Sequence, residues 1–282
     1  MAGVEGRSVI VTGAGGGLGR SHALLLAKNG ARVVVNDLGT ALDGSGASPS
    51  TADAVAAEIV EAGGEAVASH DDITATGGGA TVVQRALDAF GRIDIVVNNA
   101  GILRDRTFHK MSDDEWDAVL KVHLYGTFNV TRAAIPHFRE QAYGRVIVTT
   151  SVTGLYGNFG QANYGAAKLG LVGLINTLAI EGKKLNVLAN AISPLARTRM
   201  SEEILEQEFE PEYVSALVVY LASEECETTG EVIHAAAGRY SRVRYTESAG
   251  VQFDQVPSPV ELGGRWGDIM AMEGARVVPD VS

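Results

Sequence analysis

Apolar residues fall along this chain in two alternating rhythms. Short β-branched runs occur at Ser8–Thr12, Arg32–Asn36, Ala66–Ser69, Ile93–Asn98, Arg145–Thr150, Asn186–Ile192 and Glu231–His234. Most are continuously apolar, the pattern of parallel strands covered on both faces. Between them, apolar positions recur at helical spacing through Leu18–Asn29, Ala52–Ala62, Ala80–Phe90, Asp113–Glu140 and Ala162–Lys184. Such alternation predicts an α/β fold, a doubly wound parallel sheet of about seven strands. No linker interrupts residues 1–238, which read as one domain. Leu38–Ser50, with three glycines, reads as a long loop where a short turn is usual. Residues 239–282 show weak periodicity and scattered prolines. They are expected to form an irregular extension packed on the domain or on a neighbouring subunit.

Composition narrows the function classes. With 46% hydrophobic residues and seven prolines in 282, the chain is globular rather than disordered. A formal net charge of −11 without a basic block argues against nucleic-acid partners. The single cysteine, Cys226, cannot form an internal disulfide or a thiolate metal site. His22, His70, His109, His137 and His234 do not cluster at ligand spacing, so no metal is expected. The N-terminal residues do not form a signal peptide, and no apolar run approaches the ~18 residues of a membrane span. A soluble, cytoplasmic protein is expected.

The 34 glycines are the compositional oddity, and their placement matters. Thr12-Gly13-Ala14-Gly15-Gly16-Gly17-Leu18-Gly19 runs from the first strand straight into a helix. Gly13, Gly17 and Gly19 let backbone approach a pyrophosphate, and the N–H groups from Leu18 onward can face that anion. A glycine-rich turn without a ligand is the alternative. Asp37, ending the second strand, can accept hydrogen bonds from the ribose hydroxyls of an adenosine and would repel a 2′-phosphate. That favours NAD over NADP, although Arg20 is a nearby cation. Asp72 and Ile73, after the third strand, are placed to flank an adenine or to form an ordinary turn.

Tyr164 and Lys168 lie four residues apart on one helical face, and Ser151 follows the fifth strand. A free tyrosine, with a pKa of about 10, is a poor base at neutral pH. A lysine ammonium and a positively charged nicotinamide beside it would lower that value. A serine hydroxyl could hold the substrate oxygen while the proton leaves.

Across roughly residues 6–238 the chain resembles the short-chain dehydrogenase/reductases. The resemblance rests on Thr12 to Gly19, the Asn98-Asn99-Ala100-Gly101 segment, Ser151, and the Tyr164-x-x-x-Lys168 pair. It implies a Rossmann-like fold, a nicotinamide cofactor, tyrosine as general acid/base, and lysine binding the nicotinamide ribose. It also implies that Asn99, Ala100 and Gly101 lie beside the cofactor, and that Pro194 begins the segment covering the nicotinamide. A narrower set of stretches is Asn36–Gly39, Gly101–Arg106, Val122–Leu124 and Tyr156–Tyr164. These resemble the (3R)-hydroxyacyl-CoA dehydrogenase unit of multifunctional enzyme type 2 and its stand-alone bacterial relatives. No Ser-Lys-Leu terminus is present, so no peroxisomal address is expected. His123 stands where many family members have a relay asparagine; it is either a relay member or a buried helix histidine.

The reaction expected from this resemblance is NAD-dependent oxidation of a (3R)-hydroxyacyl-CoA. A 17β-hydroxysteroid or sterol side-chain dehydrogenase is one alternative, and a non-catalytic NAD-binding protein another. The segment covering the substrate, about Leu195–Pro211, gives no readable shape. The apolar Leu169–Leu174 stretch follows Lys168, and relatives pair such helices, so a homodimer or tetramer is expected.

Overall fold

The computed structural model describes residues 3–196 and 209–278. Most of the expected covering segment therefore lies outside the described residues. The first half alternates β1 (Ser8–Thr12), α1 (Gly17–Lys28), β2 (Arg32–Asn36), α2 (Ser50–Glu61), β3 (Glu65–Ser69), α3 (Gly78–Phe90) and β4 (Ile95–Asn98). Helices α4 (Asp113–Leu120) and α5 (Gly126–Glu140) lead to β5 (Gly144–Thr149), α6 (Val152–Tyr156) and α7 (Ala162–Gly182). Then come β6 (Val187–Leu195), α8 (Pro211–Ala222), β7 (Val232–Ala236) and β8 (Arg239–Val243). The tail adds β9 (Tyr245–Glu247), α9 (Pro259–Gly264), α10 (Trp266–Met270) and β10 (Arg276–Val278), with β9 and β10 pairing antiparallel.

Strand order in the main sheet is β3-β2-β1-β4-β5-β6-β7-β8, with β1 to β7 parallel. The strands are apolar on both faces because helices cover both. Val9 and Val11 point into one core with Leu26 of α1, Ile59 of α2 and Val218 of α8. Ile10, between them, points into the other with Val82 of α3, Phe138 of α5 and Ile175 of α7. The sheet is thus doubly wound, a Rossmann-like single domain. Chain progression reverses between β1 and β4, opening a crevice at the carboxyl ends of the strands.

Two expectations need correction. The seven expected parallel strands are present, and an eighth, antiparallel strand comes from the segment expected to be irregular. β8 pairs antiparallel with β7 from Val232↔Val243 to Ala236↔Arg239. The two-residue turn between them has Ala237 at φ 44° and Gly238 at φ 78°, both left-handed as a tight hairpin requires. An alanine in that position hides the turn, since Asn-Gly or Asp-Gly is the usual signal. The second correction is the helix expected over Asp113–Glu140. Its first turn carries a Ser112/Glu115 capping box, but Lys121–Tyr125 is a π-helical turn. Wider i→i+5 bonding there changes the angular register of the side chains, His123 among them.

No helix among the described residues is long and apolar enough to cross a membrane.

Candidate active site

A cavity of about 480 Å³ occupies the crevice. Gly13, Gly17, Leu18, Asp37, Asp72 and Ile73 line one end, and Ser151, Tyr164, Lys168 and Pro194 the other. Asn99, Ala100, Gly101 and His123 also line it. Gly19 does not; a Cβ there would sit 2.0 Å from the Gly13 carbonyl oxygen, so it serves close packing of α1 on the loop. Gly13 has φ +65°, and a Cβ on it would lie 2.7 Å from Ala100 Cα. The Thr12 hydroxyl accepts the backbone N–H groups of Asn99 and Ala100, both at 3.1 Å. Asn99 Nδ2 donates back to the carbonyls of Thr12 and Gly13. Sequence reasoning gave Thr12 no role of its own; this bonding makes it the clip that holds the glycine loop against β4.

Helix α1 has no side-chain cap at its N-terminus, and nothing would obstruct a Cβ on Gly16. Free backbone N–H groups at the start of α1 thus lie open beside the cavity, where an anion can be received, and the residues present fit a dinucleotide. Asp37 accepts the N–H of Gly15 at 2.7 Å through one oxygen and that of Gly39 at 2.6 Å through the other. Each carboxylate oxygen keeps lone-pair capacity for a ribose hydroxyl. Arg20 Nη2 donates to both carboxylate oxygens of Glu58, at 2.6 and 2.7 Å. Asp72 turns its carboxylate to Thr74, accepting both its N–H and hydroxyl.

At the other end, Ser151 caps α6, accepting the N–H of Thr153 at 3.1 Å, and its hydroxyl favours the ionised Tyr164 phenol. Lys168 is buried, and its Nζ donates to the Thr149 carbonyl while lying 5.4 Å from the Tyr164 ring centroid. Burial lowers its pKa to about 7. Burial also raises the Tyr164 phenol above its ordinary value, opposed by the Ser151 hydrogen bond and reinforced by the Asp105 charge. The lowering expected from Lys168 together with a charged nicotinamide has this burial to overcome. Desolvation dominates both groups, and a lysine titrating near neutrality supplies only part of a charge.

His123 is buried, with Nε2 2.8 Å from the Ile102 carbonyl oxygen and 3.1 Å from the Ile102 nitrogen. Nε2 donates to the carbonyl in one tautomer and accepts the Ile102 N–H in the other. Nδ1 is buried, with no hydrogen-bond partner among the described residues. Desolvation and the Lys168 charge hold the ring far below its usual pKa, so it is neutral. It stands edge-on to Tyr164, with ring centroids 5.1 Å apart, and a Cβ on Gly101 would meet its Cε1 at 2.4 Å. The π turn is what aims His123 here.

Asn163, also unassigned by sequence reasoning, is fully buried. Its Nδ2 donates to the carbonyls of Arg104 and Glu115, both at 3.0 Å, and its Oδ1 accepts the Tyr164 N–H at 2.8 Å. A polar residue just before a tyrosine in an otherwise apolar helix was the available signal.

This arrangement can bind a dinucleotide and move a proton at a hydroxyl carbon beside it, and the chain as a whole is similar to known proteins. The chain is 49% identical over 270-odd residues to peroxisomal multifunctional enzyme type 2 of Mus musculus, covering 96% of this chain and 37% of that one. Hydroxyacyl-CoA dehydrogenase ChsB1 of Mycobacterium tuberculosis is 42% identical over 238 residues, covering 78% of this chain and 74% of that one. A crystal structure of a short chain dehydrogenase from Mycobacterium avium superposes with TM-score 0.85 at 44% identity, covering 98% of each chain. The short chain dehydrogenase family pattern itself spans residues 7–208, taking in the glycine loop, the Asn98–Gly101 clip, Ser151, Tyr164 and Lys168. The chain therefore belongs to the short-chain dehydrogenases, oxidoreductases acting on CH–OH groups.

Proposed function

We propose that this protein oxidises the 3-hydroxyl of a (3R)-hydroxyacyl-CoA to the 3-ketoacyl-CoA, with NAD as hydride acceptor. Short-chain dehydrogenases generally use NAD or NADP. The observation that carries the reading is that Ser151, Tyr164 and Lys168 line the same cavity as the glycine loop and Asp37. The substrate class follows the hydroxyacyl-CoA dehydrogenase among its relatives.

In this reading Gly13, Gly17 and Leu18 hold the pyrophosphate and Asp37 the adenosine ribose. Asp72 and Ile73 flank the adenine, and Asn99, Ala100, Gly101 and Pro194 border the nicotinamide half. The bound nicotinamide would supply a hydride acceptor and a positive charge. Ser151 orients the substrate hydroxyl, and Tyr164 takes its proton at Oη. Lys168 holds the nicotinamide ribose and biases Tyr164 toward phenolate once its own proton is retained. His123, neutral and edge-on to Tyr164, holds the ring in place beside the reacting hydroxyl. A kcat/KM comparison of hydroxyacyl-CoA thioesters with 17β-hydroxysteroids tests the substrate class. Preference for thioesters supports the reading, and preference for a steroid overturns it.

NAD preference rests on Asp37 and on Arg20 being occupied by Glu58. Asp37→Ala should lower the NAD-to-NADP ratio of kcat/KM by about tenfold or more, because a charge-assisted hydrogen bond and a repulsion vanish together. An unchanged ratio would remove Asp37 as the ribose ligand.

The chain is also proposed to form at least a dimer. In the Leu169–Leu174 stretch, Leu171 and Val172 are buried in the chain's own core, whereas Leu169 faces outward. Leu169 and Ile180 are exposed apolar side chains on α7 that such pairing would cover. Light scattering should give a mass at least twice 29.5 kDa at micromolar concentration; the single-chain mass would contradict it.

A further inference from the structure

The long loop between β2 and α2 is built, not slack. Ser48 N–H donates to the Leu38 carbonyl, Ala41 N–H to Ser45, and Gly44 N–H to Ala41, at 2.8–3.0 Å. Asp43 folds its carboxylate back onto the N–H and hydroxyl of Ser45. The loop leaves the Asp37 end of the cavity and lines it through Thr40, Ala41, Leu42 and Gly44. It then docks on the segment following β4. Leu103 N–H donates to the Leu42 carbonyl at 2.9 Å, and Arg104 Nε donates to the Asp43 carbonyl at 2.9 Å. Gly44 sits against Ile102, where a Cβ would lie 3.1 Å from Ile102 Cδ1.

The docking segment is also where the catalytic end hangs. Ile102 carries His123, and the Arg104 carbonyl carries Asn163, whose Oδ1 takes the Tyr164 N–H. Arg104 thus faces two ways: its backbone supports the helix of Tyr164, and its side chain reaches the tip of the loop. Arg104 is half-buried and lines the cavity itself.

We infer that residues 38–48 form a strap closed across the adenosine half of the dinucleotide site, and that Arg104 is its latch. Arg104 is a positioning residue: it acts on the cofactor through the loop it pins. A dinucleotide held by Asp37 and the glycine loop leaves only after the strap lifts. Lifting separates the Leu42–Leu103 and Asp43–Arg104 pairs, so the latch sets the release rate more than the chemistry. The inference rests on the dinucleotide reading above and assigns that site a gate.

Stopped-flow release of NADH from the purified full chain, chased with excess NAD, tests this in wild type, Arg104→Ala and Arg104→Lys. Arg104→Ala should release NADH about tenfold faster, the equivalent of one charge-assisted hydrogen bond. Arg104→Lys, which can still donate to the Asp43 carbonyl, should recover part of the slow release. In the cofactor-free proteins, amide hydrogen exchange over 38–48 should be faster in Arg104→Ala than in wild type, with the helices unchanged. Equal release rates in wild type and Arg104→Ala would overturn the latch, whatever the exchange rates. Faster release accompanied by faster exchange throughout the helices would also overturn it, because the defect would then be global. Failure of wild type to bind NADH would instead overturn the dinucleotide reading itself.

Discussion

Tyr164→Phe should cut turnover by about 10²–10⁴-fold, the usual contribution of a positioned general acid/base, while leaving the fold and NADH affinity nearly unchanged. The substitution removes only the phenolic oxygen. The ring keeps its edge-on contact with His123, and the Asn163 bond to the Tyr164 N–H is a backbone contact. Steady-state kinetics and a fluorescence titration with NADH check the two halves. Near-normal turnover would remove the proton acceptor from the mechanism. Comparable loss of turnover and affinity would mean that the oxygen serves binding rather than chemistry.

Lys168→Met should damage both functions, weakening cofactor binding and lowering turnover by about 10²-fold or more. It also predicts a signature in stability. The folded-state pKa of Lys168, about 7, lies below its unfolded value of about 10.4. Between these values the unfolded chain binds more protons than the folded one, so the contribution of Lys168 to stability rises with pH. The slope is at most about 1.4 kcal/mol per pH unit. Below pH 7 the lysine is charged in both states and its contribution is flat. Denaturant unfolding of the cofactor-free proteins should therefore show wild type gaining on Lys168→Met from about pH 7 to 10. A constant difference across that range would mean that Lys168 is not desolvated as its burial under Thr149 implies.

Much of the site was legible because its parts are local. The glycine loop, Asp37, Ser151 and the i,i+4 pair of Tyr164 and Lys168 each sit at the carboxyl end of a strand or on one helical turn. The alternation of runs then predicts that they meet at one crevice. The missing information lies where residues distant in sequence depend on each other. Thr12 bonds across to Asn99 and Ala100, and Asn163 reaches back to Arg104 and Glu115. No spacing rule encodes either link. The aim of His123 depends on a π turn that an apolar periodicity of 3.6 cannot reveal. The effect of burial on the phenol was hidden for a related reason. Pair spacing suggests a charge beside the phenol, but desolvation by the whole surrounding fold governs both groups. β8 escaped because its turn uses Ala237 in a left-handed conformation.

Initial rates of NADH formation with separately prepared (3R)- and (3S)-hydroxyacyl-CoA, in excess NAD, test the central claim most directly. The account predicts NADH formation with the (3R) thioester and none above background with its (3S) isomer. Equal rates with both isomers, preference for (3S), or no NADH formation from either thioester would contradict it.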